Sequence, residues 1–213
     1  MINILMYVST VLMLFSFVGY FLMLMFGKKK VTNVNGFDIT KDIISEYDSI
    51  NVIEANSYFT IYNLKRRVIK LSSKSYYGNC ISDISLALIE AGISILDDGK
   101  NKFINLFRNI FNNLKILYIF PILALCINCV TYTISDAKVS MLVVGLFLLI
   151  LYILVDIKNK VYIWISTNIS KINSINKQNS ISIINFINKL FLFDKLILFS
   201  MFLMILRFII MLF

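Results

Sequence analysis

Long uncharged stretches alternate with mixed ones along this chain, and the uncharged ones set the first expectations. Residues Ile2 to Phe26 run for 25 positions without a charged side chain. At about 1.5 Å per residue, such a helix crosses a hydrocarbon core of roughly 30 Å with tilt. Two further stretches, Ile116 to Ile134 and Val139 to Val155, flank the polar tetrad Ser135-Asp136-Ala137-Lys138, which predicts a tight turn and a helical hairpin. A fourth apolar stretch, Leu196 to Phe213, is interrupted by Arg207, whose long stem suits snorkelling toward the interface. The expected fold is mainly α: one integral-membrane domain over 1–213 with about four transmembrane helices (2–26, 116–134, 139–155, 196–213) and a small α+β portion.

The mixed segments, 28–115 and 156–195, carry shorter periodicities. Asn33-Val34-Asn35-Gly36 reads as a turn, and Asp38 or Thr40 as the cap of a helix through Tyr47 with Ile39, Ile43, Ile44 and Tyr47 on its apolar face. Ser57 to Tyr62 and Arg66 to Leu71 are rich in aromatic and β-branched residues around Asn63-Leu64, which predicts a β-hairpin. From Ser82 or Asp83, the residues Ile84, Ala87, Leu88, Ala91 and Ile95 fall at helical spacing, ending near Asp97-Asp98-Gly99. Phe103 to Leu114 reads as a second amphipathic stretch, and 158–188 as a weak helix or a helix-loop-helix.

Charge orients these segments. The chain holds 21 Lys and Arg against 12 Asp and Glu. Thirteen of the basic residues lie in 28–115 and six in 156–195. With four spans the positive-inside rule puts both segments in the cytoplasm, and the short turn and both termini outside, most simply in a plasma membrane. The basic cluster Lys28-Lys29-Lys30 follows the first apolar run where a signal peptide would carry its basic residues before it, so the run reads as an uncleaved anchor. The three lysines mark its membrane-surface end, with recognition of anionic headgroups as the sharper alternative. Topology accounts for the basic excess, so a nucleic-acid partner is not expected; the lipid bilayer is.

Composition then removes chemistry. The 213 residues are 59% hydrophobic and contain no histidine. That excludes a His-ligated zinc, a Ser-His-Asp or Cys-His pair and a proximal-His haem. No glycine-rich phosphate loop, zinc-ribbon cysteine spacing or serine elbow is present. Cys80, Cys126 and Cys129 read as buried reduced thiols, with a redox or metal pair at Cys126 and Cys129 as the alternative. Transport would need polar or helix-breaking groups within the spans, and Pro121, Asn128 and Gly145 are the candidates.

One pattern remains. The stretch Ser82-Asp83-Ile84-Ser85-Leu86-Ala87-Leu88-Ile89-Glu90-Ala91-Gly92-Ile93 resembles the active-site helix of membrane-embedded neutral zinc metallopeptidases, whose pattern is A-A-H-E-x-G-H-A-I-Q. Asn35-Gly36-Phe37 and the helix after it resemble that family's T-G-x-x-V-A-x-x-I-L. Thr60-Ile61-Tyr62-Asn63-Leu64 through Val68-Ile69-Lys70-Leu71-Ser72 resembles D-H-Y-D-P-x-x-x-x-V-R-L-S, and Tyr76-Tyr77-Gly78-Asn79 resembles V-Y-x-G. Leu154-Val155-Asp156-Ile157 falls where the family has P-V-E-F, and the last apolar helix matches in position and length. The likeness covers most of the chain by order and spacing, and no single motif is intact.

In an H-E-x-x-H enzyme two imidazoles one turn apart hold zinc, and the glutamate between them acts on the metal-bound water. Here the resemblance puts Ile89 and Ile93 at the histidine positions, Asp156 at the third ligand, and Ile61 where the hairpin has histidine. Glu90 keeps the catalytic position as a vestige, solvated or paired with Lys65, Arg66 or Arg67. The expectation is a degenerate member of the family, a pseudoprotease with no cofactor. It would act by binding a membrane partner or an intact metallopeptidase, and its hairpin edge could take an extended peptide by strand addition. The alternatives are a four-span membrane scaffold or subunit unrelated to proteases, and an active peptidase in which Glu90 and Asp156 hold a cation through oxygen.

Overall fold

The structure, a computed structural model, describes residues 2–30, 34–45, 50–56, 60–63, 66–96, 119–172 and 175–213. Its elements are α1 (Ile2–Phe26), α2 (Gly36–Ile44), β1 (Asn51–Ala55), β2 (Ile61–Asn63), β3 (Val68–Ser72), α3 (Ser73–Tyr77), α4 (Ile81–Leu96), α5 (Ile119–Val130), α6 (Ile134–Asn168) and α7 (Lys177–Leu212). They divide into two compact units. One comprises Met1–Leu22, Leu114–Asp156 and Phe191–Phe213; the other comprises Met23–Asn113 and Ile157–Leu190.

In the first unit, helices pack around Met13, Ala124, Ala137, Val144, Met201, Met204 and Phe208. Large apolar side chains such as Tyr7, Val11, Phe15, Leu142, Leu149 and Phe202 stay exposed around them. That surface suits hydrocarbon, because a helix satisfies its own backbone groups and lipid imposes no penalty on apolar side chains. Three helices, α1, α6 and α7, are long and apolar enough to cross a membrane. A fourth span over 116–134 is not shown: α5 has 12 residues, about 18 Å of helix.

The turn expected at Ser135 to Lys138 lies elsewhere. The chain reverses at Thr131 to Thr133, and Ser135 to Lys138 form the first turn of α6. The cause is a reciprocal cap. Thr133 Oγ1 accepts the Asp136 N–H at 3.2 Å, and Asp136 Oδ2 accepts the Thr133 N–H at 3.3 Å and the Thr133 hydroxyl. Polar residues that look like a turn therefore start a helix. The α6 helix then runs unbroken past Val155 to Asn168.

The second unit holds a three-stranded sheet in the order β1-β3-β2. β2 and β3 are antiparallel, pairing Ile61 with Lys70, Tyr62 with Ile69 and Asn63 with Val68. Within the reversal, Asn63 Oδ1 accepts the Arg66 N–H at 3.2 Å and Arg67 takes a φ of 50°. Leu64 and the start of the expected first arm, Ser57 to Phe59, lie outside the described residues. β1 is the strand that hairpin signals do not announce: it pairs parallel to β3, from Asn51 with Val68 to Ala55 with Ser72.

Helices cover this sheet. α2 begins earlier than expected because Asn35, not Asp38 or Thr40, is its cap: Asn35 Oδ1 accepts the Asp38 N–H at 2.9 Å. Thr40 is buried and bonds back to the Gly36 carbonyl at 2.7 Å. Gly36 is required by close approach, since a Cβ there would overlap the Ser75 carbonyl oxygen. Tyr47, Asp97 to Gly99 and Phe103 to Leu114 lie outside the described residues. The 158–188 segment takes the helix-loop-helix form. α6 ends in a 3-10 turn, Ile169–Lys171, and Asn176 Oδ1 accepts the Asn179 N–H at 2.8 Å to start α7.

Candidate functional site

α4 carries the residues singled out by the resemblance. Ile84, Ala87, Leu88 and Ala91 are buried as their spacing requires; Ile95 is half-buried. Burying a side chain the size of Ile84 or Leu88 contributes about 1.5–3 kcal/mol relative to exposure. Burial extends to the adjoining faces as well, with Ile89 at 7% and Ile93 at 8% exposure. Gly92 is why a second helix comes so close: a Cβ there would sit 2.9 Å from Val161 Cγ1 and 3.4 Å from the Trp164 ring. Ile89 and Ile93 are thus core residues with no lone pair to offer.

Glu90 is half-buried between them. Its Oε2 accepts the backbone N–H of Tyr62 at 2.7 Å. Tyr62 pairs with Ile69 across the hairpin, and its N–H points to the outer side of β2, where α4 lies. The Tyr62 ring is 1% exposed, packed on the same sheet face as Ile69 and Leu71, both at 0%. The carboxylate therefore fixes the edge strand of the sheet to the helix. A charge-assisted bond of this kind is stronger than a neutral one.

Asp156 is exposed on α6 and belongs to the other compact unit. Among the described residues, no group of three or more Cys, Asp or Glu side chains is placed to hold a metal ion. The three cysteines are free, and they are not the buried thiols expected: Cys80 and Cys129 are half-buried and Cys126 is exposed on the apolar surface of α5.

Lys28, Lys29 and Lys30 are exposed, while their backbone is tied down. The Gly27 carbonyl accepts the Ser82 N–H at 2.9 Å, the Lys29 carbonyl accepts the Ile81 N–H at 3.1 Å, and Lys30 forms a single antiparallel bridge with Cys80. Two of the N–H groups that a helix start leaves without partners are satisfied in this way. Beside them, burial pushes the Asp83 carboxyl above the ordinary carboxylate range, opposed by Lys74, the Ser82 hydroxyl and Lys28.

A second polar constellation lies in the membrane unit, and here the sequence reading needs correction. Arg207 does not snorkel to a surface; it is 3% exposed. Its Nη1 donates to the Asn128 carbonyl at 2.5 Å and to Asn128 Oδ1 at 2.7 Å, and its Nη2 donates to the Thr131 carbonyl at 2.7 Å. The Asn128 side-chain amide donates in turn to Ser9 Oγ and Thr10 Oγ1, each at 3.0 Å, and to the Met6 carbonyl at 3.4 Å. This network joins α1, α5 and α7. Asn128 stood out in the sequence as a polar residue within a span, but nothing there paired it with Arg207. No protein-family model, curated protein or solved structure matches the chain.

Proposed function

We propose that the chain is a catalytically inactive homologue of a membrane zinc metallopeptidase, working by binding membrane or protein partners. The observation that carries this reading is the environment of the Ile89-Glu90-Ala91-Gly92-Ile93 turn. Two core isoleucines occupy the positions that would need imidazoles, and the carboxylate at the base position is hydrogen-bonded to a backbone N–H. A general base must reach the proton it takes, and a zinc centre needs three protein ligands. Neither requirement is supported by this donor set.

Zinc analysis and peptide hydrolysis test the proposal together. The purified full-length chain is expected to carry no stoichiometric zinc and to show no hydrolysis that Glu90→Gln abolishes. Stoichiometric zinc with Glu90-dependent cleavage would overturn it.

The topology belongs to the same proposal. With 116–134 as a fourth crossing, the basic residues of 28–115 and 156–195 support a cytoplasmic position for both segments at the plasma membrane. A second reading, a membrane scaffold or complex subunit unrelated to proteases, is favoured by the Arg207 and Asn128 network. Interhelical polar bonds of this kind hold helices together inside a membrane, which a scaffold would use.

A further inference from the structure

We propose that Lys28, Lys29, Lys30 and Lys74 form one patch, built by the fold, that holds the phosphate-bearing headgroups of anionic lipids. Three separate pieces of chain make it. Residues 27–30 follow directly from α1, residues 80–83 open α4, and Lys74 comes from α3. The first two are zipped together by the Gly27–Ser82 and Lys29–Ile81 backbone bonds and the Lys30–Cys80 bridge. The third is brought in at Gly78, where a Cβ would overlap both the Lys74 carbonyl oxygen and the Asp83 carboxylate. Asp83 thus lies against the Lys74 segment while its own helix start is bonded to the Lys28 segment, and the charges of Lys74 and Lys28 both act on its carboxylate. All four lysines are exposed; Asp83, the acid among them, is half-buried.

Depth fixes the occupant. The apolar helix α1 ends at Phe26, and Lys28 to Lys30 lie two to four residues beyond it. Gly27 and Lys28 form a turn, so the fully extended rise of about 3.3 Å per residue sets an upper limit of roughly 7–13 Å past the end of the apolar run. The polar headgroup layer is about 5–8 Å thick on each side of the core. The ammonium groups of Lys28 to Lys30 therefore reach the lipid phosphates, within a Debye length of about 8 Å. A topology anchor needs only Lys28 to Lys30 near the span. A fold-built patch also needs Lys74, which is 48 positions beyond Phe26 in sequence and plays no part in inserting α1.

The full-length chain, purified in a neutral detergent, is titrated with phosphatidylglycerol or phosphatidylcholine. Native mass spectrometry counts bound lipids and gives the affinity for the first one. The parent is expected to prefer phosphatidylglycerol. Lys74→Gln should weaken that preference by about fivefold, the triple variant Lys28→Gln, Lys29→Gln, Lys30→Gln should abolish it, and Lys74→Arg should retain it. Three results would overturn the proposal: equal affinity for the two lipids, a preference unchanged in Lys74→Gln, or displacement of the lipid by inorganic phosphate at constant ionic strength.

Discussion

Substituting Asn128 or Arg207 in the membrane unit should reveal an asymmetry that ordinary contact counting would miss. Arg207 is a buried cation held by three neutral oxygens, and among the described residues its Nε has no hydrogen-bond partner. Asn128→Leu removes one of those oxygens and all three bonds from Asn128 to α1. Interhelical side-chain hydrogen bonds in membranes average about 0.6 kcal/mol and reach about 1.7 kcal/mol. Adding the cost of a less well paired buried charge, the expected loss is about 3 kcal/mol. Arg207→Met also removes three bonds, yet it removes the charge too, which on insertion scales costs about 2.5–3.5 kcal/mol at the centre of a span. These effects nearly cancel, so Arg207→Met should change stability by no more than about 1 kcal/mol. The double variant should be more stable than Asn128→Leu alone, because no cation is left behind. Far-UV circular dichroism during SDS titration of the reconstituted full chain gives all three values. Equal losses for the two single variants, or strict additivity in the double, would refute the reasoning.

Smaller substitutions probe both units. Gly36→Ala should cost at least about 2 kcal/mol, since the new Cβ overlaps a backbone oxygen that cannot swing aside. Gly145→Ala, whose Cβ would meet nothing nearer than 3.9 Å, should be neutral or stabilise α6 by up to about 1 kcal/mol; thermal unfolding separates the two. Glu90→Gln keeps an acceptor for the Tyr62 N–H, whereas Glu90→Leu leaves that donor without it, at about 1–3 kcal/mol. Hydrogen exchange should therefore accelerate at Tyr62 in the Leu variant and stay close to the parent in the Gln variant. Asp83 has a raised pKa in the folded chain, chiefly through burial, so its contribution is most favourable below the ordinary carboxylate pKa of about 3.9 and is lost as pH rises through the folded value. Asp83→Asn should thus raise the melting temperature at pH 7 relative to the parent, with the gain vanishing near pH 3.5.

Local patterns carried much of this fold. The uncharged run of α1 and the aromatic and β-branched arms of the hairpin are written in consecutive residues, and both elements formed where those residues lie. What failed was non-local or ambiguous. β1 pairs in parallel with a strand 17 residues away, and Asn51 to Ala55 contain no turn that would announce it. Ser135 to Lys138 satisfy a turn and a helix start equally well, and the Thr133 and Asp136 cap decided between them. Arg207 has a stem long enough to snorkel, but its fate depended on Asn128, 79 residues away. The apolar face of α4 was legible; the burial of Ile89 and Ile93 on the adjoining faces was not, nor was the approach of α6 at Gly92, because both depend on distant segments.

The Glu90 contact also constrains how the sheet can meet a peptide. Along β2, Ile61 and Asn63 alternate with Tyr62, so within this three-residue strand the outward N–H is that of Tyr62. A peptide adding to β2 would need that donor, and Glu90 already accepts from it at 2.7 Å. Strand addition on this side is therefore an exchange: the incoming carbonyl must displace a carboxylate whose bond is charge-assisted, and the carboxylate must find solvent or another donor. The two flanking isoleucines resist any larger retreat of α4, since withdrawing the helix would expose side chains that are more than nine-tenths buried. Binding at β2 thus requires the Glu90 side chain to rotate while α4 stays in place, a motion confined to the few side-chain dihedrals of one half-buried residue.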